Sequence, residues 1–293
     1  MTGPKVSIHV ISYNQRHFIR EALDSCLAQD YPNIEIIVAD DASSDGTAEI
    51  LLEYERSYPG RVQAILGQEN VGITRNSNRG LAACSGDFVA FLGGDDVLLP
   101  GKISAQMAWF AEDRERALCG HQVEVFYDNG SLASHPLTRK LRSGRGAATL
   151  IRHGPFGACA VMVRRDRIPP YGFDDQLRTV SDQLLWVDVI RTDGLFGYVE
   201  GTFARYRRHS ANVTASAFAN LDEVERYLNI VRERYPEFRN AVRYAVTRRL
   251  FYDVAVAMLQ AGRKEEARAR LLHALRREPW LGRAWIRIAQ SYL

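Results

Sequence analysis

The stretch Asp87-Phe88-Val89-Ala90-Phe91-Leu92-Gly93-Gly94-Asp95-Asp96-Val97-Leu98-Leu99-Pro100 decides how this chain is read. From Phe88 to Leu92 it is a continuous apolar run of strand length, the pattern of a strand buried on both faces. Two glycines then leave room for a ligand to approach the backbone. Two adjacent carboxylates follow at the strand tip. Side by side they repel one another, and desolvation at the end of a core strand makes that worse. A hard divalent cation relieves both effects, because it prefers oxygen ligands and completes its shell with phosphate and water. The tip therefore reads as a place for a metal and something bearing phosphate.

Working outward, residues 6–11 form a β-branched strand ending at Ser12-Tyr13-Asn14, and Phe18, Ile19, Ala22, Leu23, Cys26 and Leu27 recur at helical spacing until Tyr31-Pro32. Residues 35–39 read as a second strand ending at Asp40-Asp41. A helix then starts at Thr47, with Asp45 or Thr47 as its cap, and closes at Pro59-Gly60. Residues 62–66 read as a third strand, and residues 74–84 as a helix after a turn marked by Asn70 and Gly72. Strands alternating with helices through short loops specify a parallel sheet covered on both faces, whose ligands bind beyond the carboxyl ends of the strands. Ser12-Tyr13-Asn14, Asp40-Asp41 and Asp95-Asp96 all occupy that edge.

After Pro100 the order changes. The pattern predicts a helix over about 100–113, a strand over 122–127, a turn at Asp128-Asn129-Gly130 and a basic mobile loop over 138–145. A strand over 158–163, a helix from Ser181 to about Thr192 and a last strand over 203–207 follow. From about residue 220 the chain reads as helical. Residues 255–274 have a helix–turn–helix rhythm that resembles a single tetratricopeptide-type unit. The expected division is a domain over 1–218, with a nucleotide-binding half over about 1–100 and an acceptor half over about 101–218, plus a helical extension over 219–293.

Composition sets the class. Hydrophobic and charged fractions of 46% and 25% are those of a globular protein, and a net charge of +3 gives no case for a nucleic-acid partner. Four scattered cysteines without a CxxC argue against a disulfide framework or structural zinc and for a reducing compartment. No N-terminal apolar segment precedes the first strand, and no apolar run approaches the ~20 residues of a membrane span. The expected location is cytoplasmic, with the inner membrane face as a docking option. His9 and His121 read as structural. The aromatics of the C-terminal helices read as packing residues and the arginine-rich faces as solvated, with membrane or partner contact as the alternative.

The ordered series Ile11-Ser12-Tyr13-Asn14, Asp40-Asp41-Ala42-Ser43-Ser44-Asp45-Gly46-Thr47, Asn70-Val71-Gly72, and Gly86-Asp87 leading to Phe91-Leu92-Gly93-Gly94-Asp95-Asp96 resembles the family 2 glycosyltransferases. The likeness covers roughly the first 215 residues. It implies an α/β GT-A fold, a nucleotide-sugar donor, inversion at the anomeric carbon and a divalent metal, Mn²⁺ or Mg²⁺. By the same resemblance Asp41 accepts a hydrogen bond from the nucleotide base, which favours uridine or thymidine, and Ser12, Tyr13 and Asn14 border that nucleotide. Asp96 reaches the metal, while Asp95 faces ribose or sugar. Thr179-Val180-Ser181-Asp182-Gln183-Leu184-Leu185-Trp186 is similar to the element that carries the family's general base, here Asp182, with Ser181 where the family has Glu. Tyr206-Arg207-Arg208-His209 is similar to its closing segment, so Arg207 and His209, and less directly Arg75, become candidates for phosphate contact. Gly157 and Ala158 are expected on the acceptor side, and Asp174-Asp175 is expected to be structural.

The implied partners are a nucleotide-sugar donor and a glycan or lipid-linked glycan acceptor, in surface polysaccharide synthesis. Two other readings stand beside this one. A sugar-phosphate nucleotidylyltransferase shares a related sheet but needs a glycine-rich triphosphate loop, which Ser12-Tyr13-Asn14-Gln15-Arg16 does not supply. A degenerate, non-catalytic scaffold would use the C-terminal helices for oligomer or partner contacts, and the intact Asp41, Asp96 and Asp182 argue against it.

Overall fold

The computed structural model describes residues 3–137, 142–154, 156–209, 212 and 220–292. Along the chain run β1 (Val6–Ser12), α1 (Ile19–Leu27), β2 (Ile34–Asp40), α2 (Thr47–Ser57), β3 (Val62–Leu66), α3 (Ile73–Ala83), β4 (Phe88–Gly93), β5 (Val97–Leu98), α4 (Lys102–Ala111) and β6 (Arg116–Tyr127). Then come β7 (Gly144–Arg145), α5 (Ala148–His153), β8 (Met162–Arg164), α6 (Ser181–Ile190) and β9 (Leu195–Arg208). Helices α7 (Leu221–Arg234), α8 (Arg239–Ala245), α9 (Val254–Gln260), α10 (Lys264–Arg277) and α11 (Gly282–Gln290) complete it, with a π-helical turn over Val246–Asp253. Contacts divide the chain into two compact units, Met1–Gly146 with Phe156–Ser210, and Ala147–Pro155 with Ala211–Leu293.

In the first unit one sheet runs in the order β3-β2-β1-β4-β8-β6-β9-β5, with β7 paired to β9. Strands β3, β2, β1 and β4 are all parallel. Strand β8 is antiparallel to both β4 and β6, and β6 runs parallel to β9. Strand β2 is buried at every position, and so are β1 and β4 but for one residue each, Ile11 and Gly93. That explains their unbroken apolar sequences, since helices cover both faces of a parallel sheet.

Where the chain departs from the expected elements, tertiary pairing is the cause. Strand β6 begins at Arg116 and β9 at Leu195, several residues before the patterns expected, because the two strands pair along their length and override weak local propensity. The expected strand over 158–163 is instead a 3₁₀ turn over Ala158–Ala160 followed by β8. The small residues there carry no β-branched preference, and Ala160 and Val161 donate their N–H groups to the carbonyls of Gly157 and Ala158 at 2.9 Å each. Of the basic stretch expected as a loop, residues 138–141 lie outside the described residues, and Gly144–Arg145 pair with β9.

The second unit is helical and recruits α5, which the sequence assigned to the first domain. Arg249 donates to the Ile151 carbonyl at 3.3 Å, and the His153 ring meets Tyr244 edge-on. Helices α9 and α10 are joined by a turn in which Gly262 has φ +77°. Their shared core is Val254, Ala255, Met258, Ala267, Leu271, Ala274 and Leu275, closed by Leu281 and Ala284.

Candidate active site

The loops that follow β1, β2 and β4 leave the sheet at one edge. Ser12 is in register with Asp40 and Ile11 with Gly93. Asp41 donates its N–H to the Ser12 carbonyl at 2.9 Å, and Gly94 donates to Ile11 at 2.8 Å. Two non-glycine residues here adopt left-handed backbone, Asn14 at φ 51° and Ala42 at φ 59°. Such conformations cost roughly 1 kcal/mol or more and persist only where surroundings fix them. The fixing bonds are present. Asn14 Oδ1 accepts from the Ser44 N–H at 2.9 Å, Ser43 Oγ accepts from the Asn14 N–H at 2.8 Å, and Asp40 accepts both the N–H and O–H of Ser43 at 2.8 and 2.6 Å. Neither Asp45 nor Thr47 occupies the N-cap of α2, which is Gly46; Asp45 instead accepts the N–H and O–H of Thr47, the first helical residue, at 3.0 and 2.6 Å. Ser12 is buried beneath, while Tyr13 stands exposed over the edge.

Asp41 is buried, and each of its oxygens takes a backbone N–H, Val71 at 2.9 Å and Gly72 at 2.8 Å. Its carboxylate thus holds the Asn70-Val71-Gly72 turn against the end of β2, with Arg79 3.9 Å away. Asp41→Ala would strand two N–H groups and is expected to cost about 3 kcal/mol of stability, read as a lower midpoint in urea with an unchanged slope.

That turn leads directly to the second half of the site. Thr74, at the start of α3, donates to the Leu177 carbonyl at 2.6 Å, and its hydroxyl lies 2.9 Å from that of Ser181 at the start of α6. Asp182 is therefore tethered to the Asp41 turn through two hydroxyls. Its Oδ1 accepts the Gln183 N–H at 2.8 Å. Burial of its carboxyl outweighs that bond and lifts its pKa to about 6 from an ordinary 3.8. A carboxylate so tuned is a stronger base, yet stays mostly ionised at neutral pH.

The carboxylate pair lies where β5 meets β9. Val97 pairs with Arg205 and Leu98 with Ala204, which carries Arg207 and His209 back over the β4 tip. Asp96 is buried, and its Oδ1 accepts the Arg207 N–H at 2.9 Å. Burial first, and then the neighbouring Asp95 charge, push its pKa well above the ordinary carboxylate range, while the Cys159 thiol bonds to it from the 3₁₀ turn. Asp95 is the more open of the two and faces His209, with Nε2 to Oδ2 at 3.0 Å. The His209 ring stacks on Phe18 at 5.0 Å. A Cβ at Gly93 would sit 2.7 Å from Asp95 Oδ1, so a side chain there would displace that carboxylate.

Arg207, expected as a phosphate contact, is instead buried between Phe18 and Phe126, its guanidinium 4.7 and 4.3 Å from their ring centres. It donates to the Asp95 carbonyl at 2.9 Å and pairs with Glu21. Its charge is spent on shaping the acidic turn. Arg75 points to the surface, 3.5 Å from Asp175. Gly157 is extended and starts the turn that brings Cys159 against Asp96, with Ala158 between them. Phe18, Glu21, Thr74 and Cys159 are contributors that local sequence could not reveal, because each acts through a partner more than 70 residues away, apart from the Cys159 thiol's 63-residue reach to Asp96. His9 is neutral packing, its pKa lowered by burial to about 4, with its ring between Phe91 and Phe173.

A parallel half-sheet with acidic loops at its carboxyl edge, continued by a mixed half, places the chain in the GT-A class of nucleotide-sugar transferase folds. Residues 7–168 match the family described as Glycosyl transferase family 2, and the chain belongs to that family. It is 34% identical over 220 residues to an uncharacterized protein of Mycobacterium tuberculosis, covering 73% of this chain and 62% of that protein. The chain thus spans less than two thirds of that relative's length. It is 26% identical over 217 residues, 74% of this chain and 82% of the other, to the Escherichia coli UDP-Glc:alpha-D-GlcNAc-diphosphoundecaprenol beta-1,3-glucosyltransferase WfgD. In structure it resembles Staphylococcus aureus TarS 1–349 in complex with UDP-GlcNAc, with a TM-score of 0.67, 16% identity, and coverage of 98% of this chain and 89% of that one. Among the described residues no helix is long and apolar enough to cross a membrane.

Proposed function

We propose that the chain is an inverting, divalent-metal-dependent glycosyltransferase that moves one sugar from a uridine-type nucleoside diphosphate sugar to a hydroxyl of a glycan or lipid-linked glycan. Two observations support this reading: the Asp95–His209 pair stands at the same sheet edge as Asp41, and the Asp41 turn is linked through Thr74 to Ser181, beside Asp182, whose carboxyl is lifted by burial to a pKa of about 6. The names of the WfgD relative and the TarS complex support a UDP-sugar donor.

In this mechanism Asp182 accepts the proton of the acceptor hydroxyl as its oxygen bonds to the anomeric carbon. The bond from that carbon to the phosphate oxygen breaks on the opposite face, and the electron pair departs with the nucleoside diphosphate. The Ser12-Tyr13-Asn14 loop would border the nucleoside, and Asp41 would accept an N–H of the base on the lone pairs left beside its bonds to Val71 and Gly72. Gly157 and Ala158 fit the acceptor side.

The donor set fits a hard or borderline metal: Asp95, the less buried carboxylate of the pair, beside one imidazole, His209, on the turn that also carries the buried Asp96 carboxyl. Among the described residues no cluster of three or more such side chains is arranged to hold an ion. The chain would therefore supply two ligands, and diphosphate and water the rest. Bound there, the metal supplies charge neutralisation to the departing diphosphate.

Thermal melts of the protein with uridine, thymidine, guanosine and adenosine diphosphates, with and without Mn²⁺, test the reading. UDP with Mn²⁺ at a hundred times its Kd is expected to add about 2.7 kcal/mol of stability. A flat response to every nucleotide, with and without Mn²⁺, would remove the donor assignment.

A further inference from the structure

We propose that the outer face of α11, the Pro279-Trp280 turn before it and the adjoining face of α10 form a docking surface for an anionic lipid bilayer. The inner side of α11 is accounted for by Ala284 and Ile288, which cover the core of the helical unit. Its outer side is not. Trp280, Trp285, Ile286 and Tyr292 are 75%, 55%, 58% and 73% exposed, and Leu272 on α10 is 46% exposed. The Trp285 indole N–H donates to the Pro279 carbonyl at 3.1 Å, which lays its ring against the turn that bears Trp280. Tyr292 follows the end of α11, where Arg268 of α10 lies over its ring and donates to the Ser291 carbonyl at 3.2 Å. Large exposed side chains gathered in this way mark an interaction site.

The chemistry of the patch selects a lipid surface. Tryptophan and tyrosine combine an apolar ring with a polar tip, the combination that settles at the headgroup level of a bilayer. Residues 263–292 hold eight Lys and Arg against three Glu, so this short segment carries more positive charge than the net +3 of the whole chain. Among the described residues Arg276, Arg283 and Arg287 form no ion pair with a carboxylate. Arg268 lies over the Tyr292 ring at 4.6 Å. Aromatic anchors beside unpaired arginines are the signature of an interfacial helix on anionic lipid. A second copy would set the same positive charges against each other.

Co-sedimentation of the full chain with vesicles tests this, using phosphatidylcholine alone and phosphatidylcholine containing phosphatidylglycerol. The protein is expected to pellet with the anionic vesicles, less so at high salt, with a blue shift of tryptophan emission. Trp280→Ser with Trp285→Ser is expected to abolish the shift and cut partitioning at least tenfold. Arg276→Gln, Arg283→Gln and Arg287→Gln together, which remove no core contact, are expected to reduce it about fivefold per arginine. Equal pelleting with both vesicle types, no pelleting, or unchanged partitioning in the arginine triple variant would overturn the proposal. So would a dimer in light scattering that the tryptophan substitutions dissolve, since a second copy would then cover the patch. The test needs no sugar donor, so its failure and the failure of the transferase reading are separate results.

Discussion

Asp182→Asn is expected to leave nucleotide binding at the wild-type level while lowering sugar transfer about a thousandfold, the scale of losing a positioned general base. The substitution keeps the size of the side chain and keeps an oxygen to accept the Gln183 N–H, so the start of α6 and its tether to Thr74 survive. Only proton affinity is lost. The wild-type pH profile carries a second expectation with a definite sign. A base works ionised, and burial lifts the Asp182 pKa to about 6. Transfer should therefore rise with pH through about 6, level off above 7, and fall close to tenfold per unit below 5. A rate independent of pH between 5 and 7, or an Asp182→Asn variant at near-normal turnover, would show that the proton goes elsewhere. Nucleotide binding measured on the same sample separates this from a folding defect.

How much of this was legible in the chain follows from the range of the interactions involved. The parallel half-sheet is written in local code: unbroken β-branched runs, helical spacing between them, and polar loops at the strand ends. Asp41, Asp95 and Asp182 stand at strand or helix termini, where position alone suggests a role. The difference in burial between Asp95 and Asp96 was not legible. It depends on β5, a strand of two residues that is held by pairing with β9, more than 100 residues later, and by the Ser25 hydroxyl of α1. The same pairing buries Arg207, which in sequence looks like any basic residue near a phosphate site. The 3₁₀ turn at Ala158–Ala160 and the capture of α5 by the helical unit likewise follow from tertiary contacts that small or amphipathic residues do not announce.

That difference in burial yields the second large effect. Sequence alone favoured Asp96 as the metal contact. The geometry favours Asp95, because Asp96 is buried with Oδ1 committed to the Arg207 N–H, whereas Asp95 meets the His209 ring nitrogen nearer solvent. Asp95→Asn is expected to weaken UDP binding in Mn²⁺ about a hundredfold, the scale of one lost charge-assisted contact of roughly 3 kcal/mol. Binding in the presence of a chelator should hardly change. His209→Ala should lose a smaller share of the Mn²⁺-dependent part. Asp96→Asn behaves differently. Its side-chain oxygen can still accept the Arg207 N–H, and a neutral amide no longer carries the cost of a buried charge beside Asp95. That variant should fold at least as stably as the wild type and retain Mn²⁺-dependent UDP binding. Titration calorimetry of the three variants, with Mn²⁺ and with chelator, decides between the two acids. If Asp96→Asn loses the metal-dependent affinity and Asp95→Asn keeps it, the buried carboxylate must turn outward to the metal on binding, and the Arg207 N–H bond would be what that movement breaks.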